Sequence, residues 1–372
     1  MAPVGILARL KSLYTKHQDE PSLSVHTVAL FSVNHTLLSI PRSFFRNTYI
    51  SHPTPRAPTL TKPSQVALTL LYVVPFYLSP ATRPSPSLSR DAPSVIRARI
   101  RTVTGSCLVC SLVVLWLVVD KGGSSLSAAL SLLGWWPIDF GDILRSLLLT
   151  AILFIGPLYE HGIVEGEWRS WFSRAQWSQS LGGWIGWRNY VAGPITEEVM
   201  FRSAIIPLHI LARISPGRIT FLSPLYFGIA HVHHFYEFRL THPDTPALAA
   251  LLRSLFQFGY TTIFGWYATF IFLRTGSLPA VILVHSFCNW CGLPRFWGRV
   301  EAGEPLGPPV RGKEDGDGKG RGVSVGDGEL SIMWTVVYYA LLVVGAMGFA
   351  WALWPLTESY NALVDFGRKG VK

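Results

Sequence analysis

Three short polar clusters lie inside apolar stretches of this 372-residue chain. The first is a Glu-Glu pair with an Arg, the second a His four residues after a Phe, and the third a His four residues before an Asn. Their members are Glu197, Glu198, Arg202, Phe227, His231, His285 and Asn289. Ionisable side chains at bilayer depth are costly and are therefore candidates for function. Carboxylates, imidazoles and an amide can together activate a water molecule and stabilise an oxyanion, so we interpret the chain as an intramembrane hydrolase.

The two adjacent acids are predicted to have different roles. Consecutive residues of an α-helix point about 100° apart, so only one of Glu197 and Glu198 can readily face a given centre. The other can pair with Arg202, because an unpaired buried carboxylate is driven towards its neutral form. The pattern therefore predicts one catalytic glutamate and one that supports the site, and leaves open which is which.

The two histidine motifs each place their polar groups one helical turn apart. Phe227 and His231 share one face of a helix, and so do His285 and Asn289. If these helices converge, a water lies between Glu197 and His231, and His285 and Asn289 face the carbonyl oxygen of a scissile peptide bond. This is general-base hydrolysis without a covalent intermediate.

The composition indicates a membrane protein. Hydrophobic residues make up 49% of the chain, charged residues only 15%, and the mean hydropathy is +0.32. The formal net charge is +10, but the Lys and Arg residues mostly lie between apolar segments and form no nucleic-acid motif. We therefore expect the positive charge to orient the chain in a membrane, and we expect no nucleic-acid partner.

The apolar windows predict an all-α, polytopic bundle of about eight transmembrane helices, with the active site buried inside it. The candidate spans are residues 64–80, 104–120, 141–159, 184–211, 219–236, 255–273, 277–292 and 332–355.

Four regions follow from this division of the chain. Residues 1–63 are predicted to be a flexible N-terminal arm, and residues 64–297 the membrane core. Residues 298–330 form a Gly-rich, charged loop, and residues 331–372 the last span and the tail. The basic loop of residues 81–101 is expected on the cytosolic side.

The cysteines are predicted to pack as small hydrophobic residues. Cys107 with Cys110, and Cys288 with Cys291, have C-x-x-C spacing, but both pairs lie in apolar stretches and are too far apart for a zinc ribbon. We expect no metal and no cofactor.

The motifs E-E-x-x-x-R, F-x-x-x-H and H-x-x-x-N, in this order on successive spans, resemble the type II CAAX prenyl proteases. The resemblance is strong over about residues 180–297, including Arg188-Asn189 and the run from Ala192 to Arg202, and looser around Leu71-Tyr72 and residues 89–96. It implies a multi-pass endopeptidase of the endoplasmic reticulum membrane. Such an enzyme removes the last three residues of prenylated CAAX proteins, such as Ras-like small GTPases.

The resemblance also assigns roles to the motif residues. Glu197 would be the base, helped by His231, while His285 and Asn289 would stabilise the oxyanion. Glu198, Arg202 and Phe227 would support the site. Burying a prenyl chain is favourable by about 0.8 kcal/mol per methylene, so the site should open to membrane lipid as well as to the cytosol.

Two alternatives belong to other classes. The first is a zinc-dependent membrane protease that uses His231, His285 and a Glu as ligands, because two His and one carboxylate form a common catalytic zinc shell. The chain has no H-E-x-x-H motif, which weakens this reading. The second is a non-catalytic membrane scaffold or transporter, which would require a change at one of the four predicted catalytic positions.

Overall fold

The computed structural model describes residues 62–85, 88–301 and 330–367. Within these ranges the regular elements are helices, apart from one isolated bridge between Ser85 and Leu88. The all-α prediction is therefore confirmed. The predicted arm and most of the predicted Gly-rich loop lie outside the described residues.

Eight α-helices lie in the first half of the described part of the chain. They are α1 (Lys62–Val73), α2 (Pro75–Leu78), α3 (Pro93–Trp116), α4 (Leu126–Leu132), α5 (Phe140–Leu153), α6 (Ile155–Tyr159), α7 (Arg174–Gly182) and α8 (Trp184–Trp187). A π-helical turn extends α3 at Leu117–Lys121, another extends α6 at Glu160–Val164, and Glu167–Arg169 is a 3₁₀ turn.

The second half carries the three polar clusters. Its helices are α9 (Gly193–Glu198), α10 (Ile205–Leu211), α11 (Pro216–Ala230), α12 (His233–Thr241), α13 (Ala247–Thr275), α14 (Leu278–Cys291) and α15 (Ile332–Leu356). Two π-helical segments, Arg188–Ala192 and Val199–Ala204, flank α9. π-Helical turns often occur at functional sites because they re-aim side chains within an otherwise regular helix.

Membrane-crossing length is reached by a smaller set of helices. Three described helices are long and apolar enough to cross a bilayer, at Pro93–Lys121, Ala247–Thr275 and Ile332–Leu356, and α5 with α6 adds a fourth if that bent pair is one span. All eight predicted spans overlap helix. The number of eight crossings stays a prediction.

Two predicted boundaries were wrong. The basic loop of residues 81–101 ends early, because α3 begins at Pro93 and its first turns bury Val95 and Ile96. Residues 141–159 do not form one straight element, since α5 and the α6 segment meet at an angle of 77°. Pro157 accounts for the bend, because a proline ring conflicts with the carbonyl four residues earlier, here that of Leu153, the last residue of α5.

The outer surface of the bundle is apolar. Leu108, Leu112 and Trp116 of α3 are exposed, as are Val343 and Met347 of α15. A water-facing surface would carry charge at such positions, whereas lipid accepts them.

Close helix packing brings the polar clusters together. A Cβ on Gly228 of α11 would overlap Thr262 of α13, and one on Gly265 would overlap Pro224, so these glycines allow the two helices to approach closely. α13 ends at Thr275, Gly276 follows in the left-handed conformation with φ of 59°, and Ser277 then caps α14. This tight turn returns α14 alongside α13 and carries His285 into the interior.

Candidate active site

A fully buried ion-pair network forms the centre of the bundle. Arg202 Nη1 donates to Glu198 Oε1 at 3.1 Å, and His285 Nδ1 lies 2.6 Å from the same oxygen. All three residues are fully buried. Buried charges are tolerated when they are paired, and removal of one partner is strongly destabilising. We name Glu198, Arg202 and His285 the buried triad.

Two phenylalanine rings enclose this triad. The Arg202 guanidinium lies 4.7 Å from the centroid of Phe227 and 5.5 Å from that of Phe264, within the range of cation–π attraction. The Phe264 and His285 ring centroids are 4.5 Å apart. Sequence reasoning included Phe227 but missed Phe264, because an aromatic residue in a long apolar helix has the same local pattern as a lipid-facing one.

Glu197 lies at the edge of the triad and remains reachable. Its side chain is 15% exposed, whereas that of Glu198 is fully buried, and its Oε2 lies 3.7 Å from His285 Nε2. The two ring nitrogens of His285 therefore face the two glutamates. Glu197 Oε2 and His285 Nε2 are buried atoms with no hydrogen-bond partner among the described residues. Buried polar atoms need partners, and these two are positioned to share a water or a substrate oxygen.

His231 ends α11 beside the same ring. Its Nδ1 lies 2.7 Å from the carbonyl oxygen of Phe227, and its ring centroid lies 4.7 Å from that of Phe227. A carbonyl oxygen only accepts, so Nδ1 carries the hydrogen and Nε2 of the neutral ring holds a lone pair. The sequence predicted a water between Glu197 and His231, and this stays a prediction. The imidazole at 3.7 Å from the Glu197 carboxylate is that of His285.

Asn289 lies one helical turn after His285 and is hydrogen-bonded to the π-helical segment that precedes α9. Its Nδ2 donates to the carbonyl oxygen of Asn189 at 2.8 Å. Arg188 Nε donates to Asn189 Oδ1 at 2.9 Å, and Arg188 Nη1 lies 2.5 Å from Asp91 Oδ1. Sequence reasoning gave Asn189 and Asp91 no role, although both lie in stretches that carried the resemblance.

The four cysteines are free and buried, and Cys107 Sγ donates to the carbonyl oxygen of Thr196 at 3.3 Å. This is the packing role predicted for them.

Two other groups of side chains bring possible metal-ligand atoms within 4.8 Å of one another. They are His233, His234 and Glu237, and His161, Glu165 and Glu167. Within the described residues, neither group includes His231 or His285, which the zinc alternative requires. The first group also faces Arg90 and Arg99, whose guanidinium groups compete with a cation for the carboxylate of Glu237.

These features define an all-helical membrane protein with a polar, hydrolase-like centre. Similarity to known proteins supports the same class. The model of the family described as type II CAAX prenyl endopeptidase, Rce1-like, matches residues 177–291, which include all seven motif residues.

Curated relatives extend the match well beyond this segment. The chain is 43% identical over 232 residues to a probable CAAX prenyl protease 2 of Schizosaccharomyces pombe, covering 62% of this chain and 80% of the relative. It is 36% identical over 223 residues to CAAX prenyl protease 2 of Homo sapiens, covering 58% of this chain and 66% of the relative. It is 34% identical over 246 residues to CAAX prenyl protease 2 of Arabidopsis thaliana, covering 62% of this chain and 78% of the relative. No solved structure matches. The chain belongs to the type II CAAX prenyl endopeptidase family and is a membrane protease.

Proposed function

We propose that the chain cleaves prenylated CAAX proteins, releasing the three residues after the prenylated cysteine, and that Glu197, His231, His285 and Asn289 carry out the reaction. Membership of a family of CAAX prenyl endopeptidases supports the substrate class. The observation that carries the mechanism is the position of His285 between Glu198 and Glu197.

Glu197 is the general base in this mechanism. Its carboxylate takes a proton from a water molecule, and the water oxygen forms a bond to the scissile carbonyl carbon. The lone pair on His231 Nε2 can accept the same proton, so His231 assists. When the tetrahedral intermediate collapses, the C–N bond breaks and the proton passes to the leaving amine. The products are the prenylcysteine carboxylate and a free tripeptide.

His285 and Asn289 stabilise the oxyanion. With both ring nitrogens protonated, His285 donates to Glu198 through Nδ1 and to the oxyanion through Nε2. The Asn289 amide nitrogen has two hydrogens, of which one is bound by the Asn189 carbonyl and the other remains for substrate. The anchored groups need little reorganisation when charge develops.

Glu198 and Arg202 support the site rather than react. Their full burial and mutual pairing fix the imidazole of His285 from behind. The apolar outer faces of the bundle offer a prenyl chain and membrane lipid a favourable environment. We place the enzyme in the endoplasmic reticulum membrane and include Ras-like small GTPases among its substrates, and co-localisation with a reticulum marker tests that location.

The test is cleavage of a farnesylated CAAX peptide by purified, detergent-solubilised protein, with Glu197→Ala beside the natural chain and a zinc chelator in a parallel series. We expect Glu197→Ala to lose activity and the natural chain to keep it in chelator. Glu358→Gln, which changes an exposed carboxylate near the end of α15, is the matched control and should retain activity.

Other outcomes separate the alternatives. Activity lost in chelator and restored by zinc would make the histidines metal ligands. Cleavage by a folded Glu197→Ala protein would remove the proposed base. If the folded natural chain does not cleave the peptide, the result favours the alternative of a non-catalytic membrane scaffold or transporter.

A further inference from the structure

Asn189 adjoins the proposed catalytic residues and carries one unpaired polar atom. Its backbone carbonyl oxygen accepts from Asn289 Nδ2 at 2.8 Å, so it directly contacts a proposed oxyanion donor. Its side-chain Oδ1 accepts from Arg188 Nε at 2.9 Å. Its Nδ2 is buried and has no hydrogen-bond partner among the described residues. Asn189 therefore uses its two carbonyl oxygens to hold neighbours and leaves an amide donor unused.

The orientation of this amide follows from its contact with Arg188. A guanidinium nitrogen only donates, so the atom that meets it is Oδ1, and Nδ2 occupies the other branch of the amide. The guanidinium of Arg188 is held in turn by Asp91, whose Oδ1 lies 2.5 Å from Nη1. The amide is thus fixed through its oxygen, and its nitrogen needs no rearrangement to meet a ligand.

Asn189 and Glu197 lie on the same side of their helix. Gly193 is four residues from each, and residues four apart share a helical face. The π-helical segment Arg188–Ala192 leads directly into α9, so the three positions follow one another without a break. A Cβ on Gly193 would lie 3.9 Å from Glu197 Oε1, which shows that the carboxylate leans back over this glycine. Because Cβ positions four residues apart are about 5–6 Å from each other, the side chain of Asn189 begins about one turn from that carboxylate.

Gly193 leaves the space between these two side chains without a side chain of its own. A Cβ there would also lie 2.8 Å from the carbonyl oxygen of Arg188, which is too close, so glycine is required at this position. An extended peptide advances about 3.3 Å per residue, so a chain that lies over Gly193 presents one or two peptide groups between Asn189 and Glu197. Each peptide group carries a carbonyl oxygen, which is the acceptor that Asn189 Nδ2 lacks.

The unpaired atom of Asn189 is one of four around the proposed catalytic residues. The others are Glu197 Oε2, His285 Nε2 and Asn289 Oδ1, all of them buried and without a partner in the described part of the chain. Two of the four are nitrogens and two are oxygens, and a peptide backbone offers both acceptors and donors to satisfy them. The proposed reaction uses Glu197 and His285 but gives Asn189 no role.

We propose that Asn189 binds the substrate backbone, with its Nδ2 donating to a peptide carbonyl oxygen of the CAAX chain beside the scissile bond. This inference rests on the proposed function. It makes Asn189 a substrate-binding residue and assigns no proton transfer to it. A hydrogen bond that is equally strong before and during the chemical step lowers KM and leaves kcat nearly unchanged. Because every residue has a carbonyl group, such a donor holds chains of different sequence in one register.

The experiment compares a farnesylated CAAX peptide with three thioamide analogues. Each analogue has sulfur, a weaker acceptor, in place of one carbonyl oxygen: that of the residue before the prenylcysteine, or of the first or second residue after it. With the natural chain, one analogue should lose roughly threefold to tenfold in kcat/KM, mainly through KM. Asn189→Ala should lose as much with the parent peptide and should cleave that analogue and the parent equally well. Gln179→Ala, which removes an exposed amide of α7, is the matched control and should keep the natural pattern.

The contrary results are distinct. Equal cleavage of the parent and all three analogues by the natural chain would overturn the backbone contact while leaving the protease intact. So would an unchanged loss with the analogue in Asn189→Ala, or a fall in kcat at constant KM, which would mean that Asn189 acts only through Asn289. If the folded natural chain does not cleave the parent peptide, the proposed function fails and this inference with it.

A second variant decides if Asn189→Ala fails to fold. Asn189→Asp keeps the shape of the side chain and the oxygen that accepts from Arg188, but it replaces the donor with an acceptor. It should abolish the preference for the oxygen peptide over the analogue, and a retained preference would refute the contact.

Discussion

The buried triad and a second group, formed by Arg90, Arg99, His234 and Glu237 and named here the Glu237 cluster, use similar chemistry at different depths. In each, one carboxylate accepts from an imidazole and a guanidinium. Glu198 accepts from His285 and Arg202. Glu237 accepts from His234 and Arg99. The Glu198 and Arg202 side chains are at most 1% exposed, whereas Arg90 at the edge of the cluster is 27% exposed. The two clusters therefore differ in burial rather than in residue type, and the loss of one charged partner should cost more stability where water cannot replace it.

The largest expected loss of activity comes from substitution of the proposed proton acceptors beside the triad. Glu197→Ala and His231→Ala should each reduce kcat/KM by about a thousandfold or more, because each removes a proton acceptor. Membrane insertion should be unchanged, and the unfolding temperature of His231→Ala should fall no further than that of His209→Ala, since neither Glu197 nor His231 belongs to the buried triad. Steady-state cleavage of a farnesylated peptide, with thermal unfolding in detergent, checks both.

His209 provides the matched control for His231. Its Nδ1 bonds the carbonyl oxygen of Ile205 at 3.0 Å, the same i to i−4 arrangement that His231 makes with Phe227, and its Nε2 meets Gln65. His209→Ala should lower stability and keep kcat per folded molecule. Equal catalytic loss in both variants would mean that His231 is only a packing residue.

Breaking the triad should cost stability before catalysis. Arg202→Ala leaves the carboxylate of Glu198 buried without its guanidinium, at a cost of about 3–5 kcal/mol. We expect a strongly reduced yield of folded protein, measured by detergent-resistant size-exclusion profiles. A variant with normal yield and a normal unfolding temperature would show that Glu198 is held by His285 alone.

Asn289→Ala should have an intermediate effect on activity. Removal of one oxyanion donor costs about a hundredfold in kcat, and the Asn189 carbonyl also loses its partner. KM for the farnesylated peptide should change much less than kcat. A raised KM with normal kcat would instead assign Asn289 to substrate binding.

The smallest effect is expected in the Glu237 cluster. Glu237→Gln should destabilise the protein by about 1–2 kcal/mol, less than Arg202→Ala, because solvent reaches the arginines that lose their partner. A difference in unfolding temperature between the two variants measures this directly. Equal losses would mean that partial exposure does not protect this cluster, and the contrast between the two regions would fail.

Local sequence patterns were informative where spacing along one helix decides the outcome. Helical spacing predicted that Phe227 and His231 share one face, and they are in contact. It also predicted that one of the two glutamates pairs with Arg202, and the structure gives Glu198 as that partner. The bend before Pro157 and the early start of α3 at Pro93 were missed. In each case a proline sets the boundary, whereas the apolar window was read without it.

The sequence by itself determined the all-helical class, the membrane setting, the family and the set of seven motif residues. Only the tertiary structure distinguished Glu198, enclosed with Arg202 and His285, from Glu197 at the accessible edge. It alone joined Asn189 to Asn289 and Arg99 to Glu237, which are 100 and 138 residues apart in the chain. The physical reason is that spacing fixes neighbours within one helix, whereas burial and pairing between helices depend on how closely those helices pack.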